Sequence, residues 1–326
     1  MSSVMSINGL RCTLHLPEAV KRKVDSKGKE IAVGLPPYAP ISAYAVDEYP
    51  ASPDSWMHGS SVASSYFLTV AGNRGMWLDL TENSNHSHHV AAVVSVQGIN
   101  PLTGMKADPI RLEQYREMCP KHQKEFKQDL FCEDCKFKWH AQNYLASNTG
   151  QAMWIDGFRT EEGVIRQYYF TEEEAKGVAA QLLGEERVFA IGIAFYLSKD
   201  PKPQPKYDYH MEFLGGPDGG GLECCSLAAP IAKSLSARSG LSLNSAPRRA
   251  VKKLKNIKQL EIGAGAKIHQ AIGRDPENLD FWKDEPEGFL YINYCDEATV
   301  KEILAAGKRE DEVEGFLSNV SIKDME

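Results

Sequence analysis

Hydrophobic and polar positions alternate in short runs through the first 110 residues, each run closed by turn residues. Leu10, Cys12, Leu14 and Leu16 are separated by Arg11, Thr13 and His15, the period-two pattern of a strand that buries one face. Tyr66 to Val70 and Met76 to Leu80 flank Ala71-Gly72-Asn73-Arg74-Gly75. Two glycines and an asparagine supply the positive φ values of a hairpin loop, so the pair predicts a β-hairpin. A valine-rich run from His89 to Gln97 stops at Gly98 and reads as another strand. The prolines between Pro36 and Pro53 interrupt strands repeatedly and predict long surface loops. Met153 to Arg159 and Val164 to Phe170 predict a second hairpin around Thr160-Glu161-Glu162-Gly163.

After residue 170 the period changes. Thr171 with Glu174 three residues later has the form of a capping box. Ala175, Val178, Ala179, Leu182 and Leu183 follow at helical spacing until Gly184, which predicts a helix with a glycine stop. Val188 to Leu197 is apolar almost throughout, the signature of a strand covered on both faces. Pro201, Pro203 and Pro205 and the glycines from Gly215 to Gly221 mark a boundary near 200 to 225. Gly288 to Cys295 predicts a strand, Asp296 an N-cap, the following residues a helix through Ala306, and Gly307 its end.

The pattern as a whole predicts an α+β, predominantly β fold. Its parts are a β-sandwich or jelly-roll-like module at 1–110, a small Cys/His insertion at 111–150, and a hairpin, helix and strand unit at 151–205. A C-terminal region at 206–326 carries a basic arm and ends in a strand and helix. Internal repeats and heptads are not found, which sets solenoids and coiled coils aside.

Composition narrows the class. The chain has 326 residues, 42% hydrophobic and 25% charged, which argues against wholesale disorder and collagen-like chains. Its seven cysteines are odd in number and unevenly spread, unlike a disulfide framework. Cys12 and Cys295 sit on alternating apolar stretches and are expected as buried thiols. Met1 to Gly9 lacks a secretory signal, and apolar runs fall well short of the roughly 18 residues of a membrane span, so a cytoplasmic protein with no membrane partner is expected.

The formal charge of −7 hides a local exception. Between Glu223 and Glu261 there is no acidic residue, while Lys233, Arg238, Arg248, Arg249, Lys252, Lys253, Lys255 and Lys258 place eight positive charges, leaving −15 on the rest of the chain. Such a split makes docking of the segment from Lys233 to Lys258 on acidic surfaces of another copy electrostatically natural, and hence a homo-oligomer, beside the plain reading of a solvated basic face. Nucleic acid is the alternative partner.

One motif carries specific chemistry. Cys119-Pro120-Lys121-His122 and Cys132-Glu133-Asp134-Cys135 form a C-x2-H and a C-x2-C pair, nine residues apart. Two-residue spacing turns both ligands of a pair toward one ion, and three thiolates with an imidazole suit tetrahedral Zn(II). The pattern resembles a zinc ribbon or zinc knuckle over about 25 residues. The resemblance makes Cys119, His122, Cys132 and Cys135 the ligands of a structural Zn(II). Phe126, Phe131, Phe137 and Trp139 are expected to pack around it as a miniature core. Together with Lys121, Lys124, Lys127, Lys136 and Lys138 they also offer aromatic and basic surface for single-stranded nucleic acid.

Weaker groupings complete the reading. His86, His88 and His89 lie close in sequence, with His86 and His88 on one face of an extended segment, but no fourth ligand stands at a defined spacing. Cys224-Cys225 becomes a nucleophilic or redox pair only with a base beside it, His210 or His140 being the candidates. Asp79, Glu82, Asp156 and Glu212 are scattered acids. Phosphate-loop, H-E-x-x-H and G-x-S-x-G motifs are missing, and Gly263-Ala264-Gly265 lacks the third glycine of a dinucleotide fingerprint. The leading expectation is a non-enzymatic structural or interaction protein, stabilised by structural zinc and self-assembling. A nucleic-acid-binding protein using the knuckle and basic segment is the first alternative, and a metal-dependent hydrolase near the three histidines the second.

Overall fold

Each long strand sends alternate side chains to opposite faces, and which of those positions are apolar sorts the strands into two large sheets. The computed structural model describes residues 2–35, 38–58, 60–107, 110–126, 129–160, 163–203 and 257–308. Apart from Pro203 they belong to one compact unit. One sheet has seven strands, with Met5–Ile7, Leu10–His15, Gly75–Asp79, Ile165–Thr171 and Gly157–Arg159 in spatial order. Trp154–Ile155 pairs with Gly75–Asp79, and Glu261–Ile268 with Ile165–Thr171. The other sheet has six strands in the order Leu145–Ala146, His88–Val96, Ala190–Pro201, Gly288–Cys295, Ala63–Thr69 and Tyr44–Ala45. Gly288–Cys295 runs parallel to Ala63–Thr69, whereas the other strand pairs of these two sheets are antiparallel. Both sheets draw on the stretches 1–110, 151–205 and the C-terminal region.

The sheets share one apolar core. Leu10, Cys12, Leu14, Met76, Leu78 and Phe170 enter it from the first sheet, and Val90, Val94, Ile191, Ile193, Phe195 and Ile292 from the second. The intervening residues of the second sheet meet different neighbours. Phe67 and Cys295 pack with Val300 and Ile303 of the helix Glu297–Ala305. Ala91, Val93, Ala194 and Tyr196 pack with Tyr144 and Trp282. The six-stranded sheet is therefore a middle layer, which is why the run ending at Leu197 has almost no polar face. This is a predominantly β, α+β architecture, as the alternation predicts. Cys12 and Cys295 are fully buried thiols in its cores.

Two local expectations are corrected. The hairpin around Gly72 and Gly75 does not form, because Ala63–Thr69 joins the six-stranded sheet and Gly75–Asp79 the seven-stranded one. Residues 70–74 carry the chain across the sandwich, with Asn73 at φ 62°. Each strand finds a more extensive partner elsewhere: Ala63–Thr69 pairs along its whole length with Gly288–Cys295, and Gly75–Asp79 with Leu10–His15. The capping box at Thr171 is also absent. Thr171 completes a strand opposite Glu261, and its hydroxyl accepts from the Glu173 N–H at 3.1 Å, so the ladder wins over the helix start. The α-helix is confined to Val178–Leu183, with Gly177 at its N-cap and Gly184 at φ 58° as its stop. Gly177 is required there, because a Cβ would come within 3.0 Å of the Glu261 side chain.

Elsewhere local chemistry and fold agree. Gly157–Arg159 pairs with Ile165–Thr171 in the expected second hairpin. Asp296 caps the helix Glu297–Ala305 by accepting from the Thr299 N–H at 2.8 Å, and Gly307 follows at φ 87°. The proline-rich stretch is more than surface loop, since Val46, Tyr49 and Trp56 lie buried in the core under that helix.

Candidate metal centre

Two tight turns present the four donors. In the first, the Gln123 N–H donates to the Cys119 carbonyl at 2.8 Å, with Gln123 at φ 52°, and the Cys119 N–H donates to the Lys124 carbonyl at 2.8 Å. This folds Cys119 and His122 onto one side. In the second, Phe131–Cys132 pairs with Phe137–Lys138, and Lys136 takes φ 53° to close the loop. The register sets Cys132 opposite Phe137 and leaves Cys135 on the turn. A Lys124–Asp134 ion pair at 2.6 Å links the two turns across the surface.

One ligand atom from each of Cys119, His122, Cys132 and Cys135 lies within 4.8 Å of all the others, a cluster able to hold a metal ion. Cys119 Sγ is 3.7 Å from His122 Nδ1 and 4.0 Å from Cys135 Sγ, and Cys132 Sγ is 3.5 Å from His122 Nδ1. A tetrahedral ion with metal–sulfur and metal–nitrogen bonds of about 2.3 and 2.0 Å needs edges of about 3.8 Å between sulfurs and about 3.5 Å between sulfur and nitrogen. The donor set fits that size. Cys119 and Cys132 are buried, Cys135 is half-buried and His122 is exposed. Burial raises the Cys119 pKa, with Cys132 and Cys135 adding to it against the His122 and Lys121 N–H donors. Burial opposes ionisation of Cys132 as well, but hydrogen bonds from the Cys135 and Asp134 N–H groups and from neighbouring thiols outweigh it and bring that thiol to about 6. Cys132 is thus prepared to bind as thiolate.

A miniature core backs the cluster, made of Tyr115, Cys119, Cys132 and Trp139 with Phe126, Leu130 and Phe137 packed against it. Trp139 meets Phe137 edge to face with centroids 5.0 Å apart, and Tyr115 at 5.5 Å. Phe131 corrects the expectation: it stands 37% exposed outside this core, because the strand alternation that buries Cys132 turns its neighbour outward.

The remaining sequence candidates sort differently. His86 and His88 do approach each other, with ring centroids 5.9 Å apart, and His86 Nδ1 accepts from the His88 N–H at 3.1 Å. His89 turns instead toward Phe281, at 5.8 Å. Among the described residues the Cys/His quartet is the one group of three or more His, Cys, Asp and Glu able to hold an ion. Cys224, Cys225, His210, Glu212 and the basic residues from Lys233 to Lys255 lie outside the described residues. His140 places Nδ1 and Nε2 each 3.2 Å from the carbonyls of Gln142 and Ile272, and burial lowers its pKa. Lys258 pairs with Glu172 at 2.7 Å and Glu82 with Arg11 at 3.0 Å. Asp156 is buried with one carboxylate oxygen unpartnered, and burial, reinforced by the charge of Asp79, pushes its pKa up to about 7.

Sequence reasoning missed a buried polar node. Asp275 is 1% exposed and accepts from the Tyr144 hydroxyl at 2.6 Å, the Asn148 amide at 2.8 Å and the Trp282 indole at 2.9 Å. Its own N–H donates to the Gln142 side chain at 2.8 Å. These partners lie about 130 residues away in sequence, apart from Trp282, so no local spacing announces them. The node ties the stretch after the metal cluster to the loop that precedes Gly288–Cys295. No family model, curated protein or solved structure matches the chain.

Proposed function

We propose that this is a non-enzymatic structural and interaction protein of the cytoplasm, held by a structural Zn(II) and assembling into homo-oligomers. The observation that carries the reading is the donor quartet. Three thiols and one imidazole at tetrahedral spacing are a set that zinc favours, and four protein ligands leave no coordination position for water or substrate. Bound there, zinc would contribute folding energy to a segment whose own core is small. The thiols need a reducing compartment to stay available.

Assembly rests on charge. Eight positive charges between Lys233 and Lys258 face a remainder of −15. Lys258, the one of the eight among the described residues, pairs within the chain with Glu172 at 2.7 Å. Elemental analysis of the purified chain is expected to return one zinc per chain, and sedimentation velocity at low salt is expected to show oligomers that dissociate as salt screens the attraction. A chain without zinc would overturn the structural-metal reading, and a strict monomer at every ionic strength would overturn assembly.

A further inference from the structure

Beside the metal cluster lies an open groove of about 550 Å³, a volume in the range of small-ligand clefts. Its positive side chains come from separate parts of the fold. Lys121 belongs to the first ligand turn, Arg159 to the strand Gly157–Arg159, Arg166 to Ile165–Thr171 and Lys267 to Glu261–Ile268. Among the described residues no aspartate or glutamate lines the groove. Its apolar walls include Phe137 and Leu182, and Leu182 is 56% exposed.

The four cations differ in what already holds them. Arg166 is clamped by both Glu30 carboxylate oxygens, at 3.1 and 3.3 Å, and by the Gly265 carbonyl at 3.1 Å. Arg159 donates through Nε to the Lys138 carbonyl at 3.0 Å, and among the described residues no carboxylate pairs with it. Burial lowers its pKa, as it does for a guanidinium withdrawn from water. Lys121, likewise unpaired among the described residues, stands exposed at the mouth. A planar fork and a mobile ammonium facing one cleft are suited to phosphate oxygens. The half-buried Phe137 and the exposed Leu182 beside them call for a ligand with a flat, partly apolar body as well.

We propose that this groove binds a nucleoside phosphate, its phosphate taken by Arg159 and Lys121 and its base lying against Phe137 and Leu182. The same chemistry comes from a free nucleotide or from one nucleotide of a single strand. The inference does not rest on the assembly reading.

The test titrates the zinc-loaded full chain with fluorescein-labelled AMP and, separately, with a labelled oligouridylate, following polarisation, with inorganic phosphate as competitor. Binding of AMP identifies the free nucleotide as ligand, and binding of the oligomer without AMP identifies the strand. Phosphate is expected to compete in either case. Arg159→Gln is expected to weaken binding about tenfold or more, the scale of a lost charge-assisted hydrogen bond, and Lys121→Ala several-fold. Lys301→Ala, on the remote helix Glu297–Ala305, is expected to leave it unchanged. Because Arg159 is largely buried, zinc content and circular dichroism check that its variant folds; if it does not, the exposed Lys121 decides. Failure of both probes to bind, an unchanged affinity in Lys121→Ala or in folded Arg159→Gln, or an equal loss in Lys301→Ala would overturn the proposal.

Discussion

Asp156→Asn probes the electrostatics of the sandwich directly. The carboxyl is 7% exposed, one of its oxygens has no hydrogen-bond partner, and Asp79 adds a like charge. Burial first, and Asp79 second, hold its pKa at about 7 in the fold against an ordinary value of 3.8. Below the ordinary value both folded and unfolded chains carry the proton, and the group contributes no difference. Between the two values the unfolded chain ionises while the fold retains its proton, so stability falls as pH rises by about 1.4 kcal/mol per unit. Above the folded value both forms are ionised and the full loss is reached, about three units or about 4 kcal/mol. Asparagine removes that loss but brings a buried amide whose unmet hydrogen bonds cost about 1–3 kcal/mol. The variant is therefore expected to gain on the wild type by about 3 kcal/mol between pH 5 and pH 8, ending modestly more stable at the higher pH. Urea midpoints of both proteins, measured with zinc across that range, give the difference; titration of the metal ligands is common to both and cancels. A stability difference that stays constant with pH would refute the reasoning.

Other parts of the fold make their own demands. Removing the metal with a chelator, or replacing Cys132 with serine, is expected to change Trp139 fluorescence and expose amides of 115–139, while amide exchange within Ala190–Pro201 stays slow; simultaneous loss of both would show the sandwich itself to be metal-dependent. Phe195→Ala empties a fully buried site between the two sheets and is expected to destabilise by about 3–5 kcal/mol in urea unfolding. Asp296→Ala removes the accepted Thr299 N–H bond and is expected to cost about 1 kcal/mol, read as a drop in melting temperature.

What the sequence disclosed depended on how locally each feature is determined. The strand Gly288–Cys295, its Asp296 cap and the glycine after the helix could be read residue by residue, because cap and stop act within one turn. The metal donors were legible for the same reason: each pair is set by a tight turn of its own. Pairing of strands was not. Tyr66 to Leu80 has the composition of a hairpin, yet its two strands choose partners more than 200 and about 60 residues away, since alternation specifies a face and not a neighbour. Thr171 shows a related failure, its capping signal losing to a ladder with Glu261. The groove beside the Cys/His cluster was invisible in sequence, because its cations are scattered over residues 121 to 267, and three of them, Arg159, Arg166 and Lys267, meet only on the seven-stranded sheet.

The same gathering joins the Cys/His cluster to the groove. Lys121 lies between the candidate donors Cys119 and His122, Phe137 and Trp139 belong to the core behind them, and the Lys138 carbonyl that holds Arg159 Nε lies in the hairpin of Cys132. The rest of the lining, from the sheet, the loop at Thr103 and Gly104 and the helix Val178–Leu183, lies outside the two donor turns. If the ion fixes those turns, then it also fixes half of the anion site, and the two binding equilibria are linked. Reciprocity makes the linkage measurable from either side: the nucleotide that binds zinc-loaded protein should raise its resistance to a chelator by the same factor that zinc raises nucleotide affinity. Equal chelator sensitivity with and without saturating nucleotide would mean that the groove keeps its shape from the sheet alone, and that the knuckle is attached to the site without forming it.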